Sequence, residues 1–111
     1  MIEKIVLNYL NDELNVPVYM EMPKHAPQKF VVIEKTGSSK NDCIYTAMIT
    51  LKSHAPTLYQ AATLNETVKA AMDNIIVLDS ISKSQLNSDY NYTNTATKTY
   101  RYQAVYDIWH Y

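Results

Sequence analysis

A single glycine, Gly37, serves all 111 residues, and this scarcity constrains the fold more than any other feature. Loops that cradle phosphates, and dinucleotide-binding folds, bring the backbone close to phosphate oxygens through several glycines. Nucleotide enzymes of those types are excluded. Punctuation falls to Pro17, Pro23, Pro27 and Pro56, which set strand and helix starts and cannot donate within a ladder. Ten tyrosines stand against one phenylalanine. A tyrosine covers apolar area while keeping a hydroxyl for water or a partner, which suits half-buried strands and subunit interfaces.

The length fits one domain spanning residues 1–111. A net charge of -1 provides no footprint for a polyanion, because duplex binding needs clustered Lys and Arg to release counterions. Sequence-specific nucleic-acid binding is therefore not expected. Cys43 is the only cysteine, so no internal disulfide can form. Met1-Ile2-Glu3-Lys4-Ile5-Val6 mixes charge into its apolar residues, unlike a signal peptide, and no apolar run approaches the roughly 20 residues of a membrane span. The expected site of synthesis is a cytosol, with no membrane partner.

Ile2, Ile5, Val6, Tyr9, Leu10 and Leu14 recur at helical spacing opposite Glu3, Lys4, Asn8, Asn11 and Asp12, predicting an amphipathic first helix that ends before Pro17. A short strand, Val18 to Glu21, follows, and Pro23 and Pro27 hold the next loop out of regular structure. Lys29 to Thr36 reads as a strand, and Gly37 to Asp42 as the turn into another. There Cys43, Tyr45, Ala47, Ile49 and Leu51 alternate with Thr46, Thr50 and Lys52, the period of a sheet with one buried face. Pro56 suits the first turn of a second helix carrying Leu58, Ala61, Ala62, Leu64, Val68, Ala71, Met72 and Ile75. Leu78 to Leu86 is expected as a strand, Asn87 to Thr97 as a long polar hairpin loop, and Lys98 to Tyr111 as the final strand. The predicted class is α+β in the order α-β-β-β-α-β-β, a mainly antiparallel sheet with two helices packed on one face. Leu64, Val68 and Met72 should pack on Tyr45, Ala47 and Ile49, with Lys69 on the solvent side.

Catalytic chemistry has little to stand on. Cys43, His25, His54 and His110 have no spacing that pairs a nucleophile with an orienting base, and Cys43 reads as a buried strand residue. The histidines form no i, i+4 pair that would present two metal ligands on one helical face. Glu34 and Asp107 fall within strands, where charged positions ordinarily make the solvated face. No enzyme activity, cofactor or metal is expected.

Four stretches carry a resemblance. Val16-Pro17-Val18-Tyr19 with Pro23 and Pro27, Phe30-Val31-Val32-Ile33 with Thr36-Gly37, the helix bearing Ala61, Leu64, Val68 and Met72, and Tyr100-Arg101-Tyr102-Gln103 resemble the tail-terminator and tail-completion proteins of long-tailed bacteriophages. The chain departs from that pattern at Ser38, where relatives carry a second glycine. The resemblance implies a non-enzymatic structural protein that forms a ring, usually of six subunits, capping the finished tail tube and meeting the head connector. Its partners would be copies of itself, the tail tube protein and the head–tail connector protein. It would belong to the neck of the virion after assembly in the host bacterial cytoplasm. A head-completion or connector subunit, and a small cytosolic binding module, are the alternatives. A closed ring needs two unlike patches on each subunit, and the candidate interface residues are Tyr90 and Tyr92 in the polar tract with Tyr100 and Tyr102 in the closing strand.

Overall fold

The first apolar stripe closes into helix α1, Ile2–Glu13, in a computed structural model that describes residues 1–111. Its buried side chains are Ile2, Val6, Tyr9 and Leu10, and Glu3 sits in the first turn, where a carboxylate favours the helix dipole. Asn11 ties the helix to the first strand. Its amide nitrogen donates to the carbonyls of Leu7 and Val18, and its carbonyl oxygen accepts from the Val18 N–H at 3.0 Å. That clamp anchors strand β1, which is only Val18–Tyr19 rather than Val18 to Glu21 and runs parallel to its neighbour.

Strand β2, Phe30–Asn41, does not stop at Thr36. It pairs antiparallel with strand β3, Ile44–Ala55, along its whole length, with an irregularity between Lys35 and Gly37. The expected turn at Gly37 to Asp42 is therefore displaced to Asp42 and Cys43, both left-handed at φ 50° and 67°. A two-residue hairpin closed by a type I′ turn needs that conformation at both central positions, and its mirror-image backbone matches the strand twist. Ladder pairing prevails over the glycine signal, and Gly37 itself has no positive φ. Cys43 is consequently exposed at a turn and not buried in a strand.

Helix α2, Leu58–Asp73, starts from Thr57, whose hydroxyl accepts the Gln60 N–H at 3.2 Å. Pro56 precedes that cap instead of occupying the first turn. Ile75 falls beyond the helix in a 3-10 turn, Ile75–Val77, and is fully buried. Strand β4 is Ile81–Asn91, so Asn87 to Asn91 are strand and not loop, and the connection to strand β5, Tyr100–His110, is shorter than expected. Ladder bonds to an apolar central strand outweigh the polar composition that reads as a loop.

The five strands lie in the order β1-β2-β3-β5-β4, antiparallel except for β1 with β2. The fold is α+β in the order α-β-β-β-α-β-β, with both helices on one face. One core joins Val6, Leu10, Val68, Met72 and Ile75 to Val31, Ile33, Ala47, Ile49, Leu51, Ala104, Tyr106 and Ile108. The Tyr9 hydroxyl donates to the Ala71 carbonyl at 2.8 Å, locking the two helices together. Tyr106 is buried among them and reaches Asp73 Oδ1 at 2.8 Å, and burial followed by that contact pushes its phenol well above the usual range.

Two expected contacts differ. Tyr45 shares the helix-bearing face but lies at its rim, 40% exposed, with its ring 5.4 Å from His110 instead of beneath α2. Lys69 is not a free solvent-side residue. It bonds Asp89 on β4 at 3.0 Å and Glu66 at 3.1 Å, and Asn65 joins Asp89 beside it. The molecule is 45 Å long and 24 Å across, and the register puts the β2–β3 and β4–β5 hairpin turns at opposite ends of the sheet.

Candidate functional site

Strand alternation leaves one side of the sheet without a helix. Tyr90 pairs with Gln103 across β4 and β5, and the Gln103 amide donates to the Tyr90 hydroxyl at 2.6 Å. The Tyr92 ring lies 6.1 Å from that of Tyr90. The Arg101 guanidinium sits 4.6 Å over the Tyr92 ring while its Nε donates to the Tyr92 carbonyl at 2.8 Å. Tyr90, Tyr92, Arg101 and Gln103 thus form one aromatic and cationic patch on the open face. Both tyrosines are 44% exposed.

Tyr100 and Tyr102 pair with Ala55 and Ser53, which puts them on the other, helix-bearing side of the sheet, half-buried. The four candidate tyrosines are therefore split between two faces. Side-chain parity along β5 follows from its register with β3, which composition does not encode.

The rest of the open face is largely paired within itself. Lys52 bonds Glu34 at 3.2 Å, Asn87 donates to Asp107 at 3.1 Å, and Lys83 lies 4.8 Å over the Trp109 ring. Glu34 and Asp107 share this face but are not opposed, since β3 lies between their strands.

At the end nearer β1 the chain bends over the sheet. Met20, Glu21 and Met22 form with Val32, Lys52, His54 and Arg101 a hollow of about 420 Å³. His54 stacks on Phe30 at 4.5 Å. Burial first, and then Arg101 and Lys52, lower its pKa from 6.5 to about 4, so the imidazole is neutral at pH 7. Sequence reading misses this environment because His54 acquires its neighbours through pairing with Phe30 and Arg101.

Cys43 does not meet His54. Cys43 and His54 lie at opposite ends of β3, roughly 35 Å apart along an extended strand of that length. His110 stacks on Tyr45, and His25 is exposed in the β1–β2 connection. No group of three or more His, Cys, Asp or Glu side chains converges, and no helix is long and apolar enough to cross a membrane. The surface carries an aromatic and cationic sheet face on one side and an acidic helix layer on the other. Compared with known protein families and with curated proteins, the chain matches none.

Proposed function

We propose that this chain is a non-enzymatic structural protein of a long-tailed bacteriophage, which forms a ring on the completed tail tube and joins the tail to the head connector. The observation that carries this reading is the position of the four resembling stretches. The proline-flanked segment becomes β1, the apolar run becomes β2, the alanine and leucine helix follows the first hairpin as α2, and Tyr100-Arg101-Tyr102-Gln103 opens β5 inside the sheet. The resemblance makes these stretches a first strand, a second strand with its turn, a helix after the first hairpin and a closing strand; Thr36-Gly37, its turn, lies inside β2 instead.

The surface is consistent with assembly. A cyclic ring is built from heterologous contacts between two different patches, and the open sheet face and the helix layer differ in both shape and charge. Tyr92, with Arg101 over its ring, and Tyr90, bonded to Gln103, have the composition of binding hot spots, each worth on the order of 2 kcal/mol when desolvated.

The decisive experiment removes the gene from a phage that carries it. Infected cells should accumulate filled heads and finished tails that do not join, and complementation should restore particles. Normal joining would overturn the reading. Purified protein, weighed in solution over a range of concentrations and imaged by negative stain, should close into rings that cap isolated tubes. Attachment to heads and not to tubes would assign it to the connector side, and a compact two-fold dimer that never forms rings would exclude both.

A further inference from the structure

Charge is sorted between the layers of this molecule. The two helices and the turn after α2 carry Glu3, Asp12, Glu13, Glu66, Asp73 and Asp79 against Lys4 and Lys69 only. The sheet and its connections carry more cations than carboxylates, and the two layers nearly cancel to the net charge of -1.

Within that pattern two surfaces complement each other. A groove of about 600 Å³ runs between α1 and residues 77–80, with Ile5, Val77 and Leu78 as its apolar part and Asp12, Glu13 and Asp79 at its rim. None of those three carboxylates is in a salt bridge, and Val77 is 72% exposed. The β1–β2 connection supplies the converse. Met20 and Met22 are exposed there, Lys24 and Lys29 together outweigh the single carboxylate Glu21, and Lys24 has no carboxylate partner. Methionine side chains adapt to an apolar groove with little steric demand, and a lysine beside them matches an acidic rim.

The two surfaces cannot meet within one molecule. Ile5, Asn8, Tyr9 and Asp12 face the groove, whereas Leu7 faces the methionine segment. At 100° per residue these are opposite flanks of α1, held apart by the Asn11 clamp on Val18. Unlike patches pointing in opposite directions are what a head-to-tail contact needs.

We infer that Met20–Lys24 of one copy seats in the α1–Val77 groove of the next, with Met22 on Ile5 and Val77 and with Lys24 between Asp12 and Asp79. The occupant's identity as a second copy rests on the ring reading above. Two experiments test it together. Lys24→Glu and Asp79→Lys should each raise the concentration for half-assembly about tenfold or more, and the double exchange should restore most of the loss. In a Cys43→Ser background, Met22→Cys combined with Val77→Cys should give a ladder of covalent multimers on oxidation, while either cysteine alone should give no species beyond a dimer. Rings that form normally in the single charge variants, or that form without the ladder, would overturn this contact and leave the ring reading standing. Absence of rings from the unmodified protein at every concentration and on tube ends would overturn both.

Discussion

Met48 and Ile49 are neighbours in β3, yet they belong to different kinds of surface. Ile49 is fully buried beneath the helices, and Met48 points to the open face and is 36% exposed. The contrast extends along the sheet. On the helix side Val31, Ile33, Ala47, Leu51, Ala104 and Ile108 meet α1 and α2, while on the open side Thr36, Lys52, Arg101, Gln103 and Trp109 meet one another or solvent. The covered side holds the main core, and the open side buries only Phe30, Val32, Thr50, His54 and Val105 among exposed polar and aromatic groups.

The sharpest test of this contrast uses those two adjacent residues. Ile49→Asp buries an unpaired charge and should unfold the domain, a loss above about 4 kcal/mol. Met48→Lys, opposite Asp107 in the register, should change stability by less than about 1 kcal/mol. Chemical denaturation of both variants checks this, and similar midpoints would show that the faces are misassigned.

His54 is the one titratable side chain buried on the open side. The unfolded chain takes up a proton near pH 6.5 and the folded chain only near 4. Between those values the unfolded state binds more protons, so stability should fall as pH drops from about 6.5 towards 4, by on the order of 2–3 kcal/mol, and be flat above 7. In His54→Phe, which keeps a ring against Phe30, that slope should disappear from denaturation curves measured at pH 7 and pH 4.5.

On the covered side, Lys69→Ala should cost on the order of 1 kcal/mol, because Asp89 and the buried Asn65 lose the ammonium that organises them. A double-mutant cycle with Asp89→Ala isolates the pair. The smallest effect belongs to Gly37→Ala. A Cβ there meets only the Met48 Cβ, at 3.9 Å, so the change should be neutral or stabilise by about 0.4–1 kcal/mol through the unfolded state. A lower melting temperature would mean that the β2 irregularity requires glycine.

Legibility in the sequence follows the same division. The apolar stripes of α1 and α2, and the alternation of Ala47, Ile49 and Leu51, record burial on one side and are readable as such. The exceptions are informative. Gly37 misplaces the turn because pairing over the full length of β2 and β3 carries the chain to Asp42 and Cys43, and β4 reads as ending at Leu86 because Asn87 to Asn91 have no hydrophobic period. Tyr90 and Tyr92 are identifiable as surface aromatics, but their separation from Tyr100 and Tyr102 depends on register. The Lys69–Asp89 contact and the setting of His54 arise between residues distant in the chain, where no local pattern reports them. The same limit governs any shortening of the polar tract: removing residues 87–97 would delete half of β4 together with Asp89, so a useful excision is confined to Thr93–Lys98.

Strand β5 lies between β3 and β4 although the chain reaches it after every other element. The β2–β3 and β4–β5 hairpins are local and can each form on the microsecond scale. Their union through β3 and β5 must close the whole segment from Ala55 to Tyr100, the kind of distant pairing that slows folding. Until it closes, β3 and β5 both present unpaired apolar edges, the state most open to association with the wrong strand. The yield of native protein on refolding should therefore fall as concentration rises, so the join at the centre of the sheet governs how much of the chain reaches the native state.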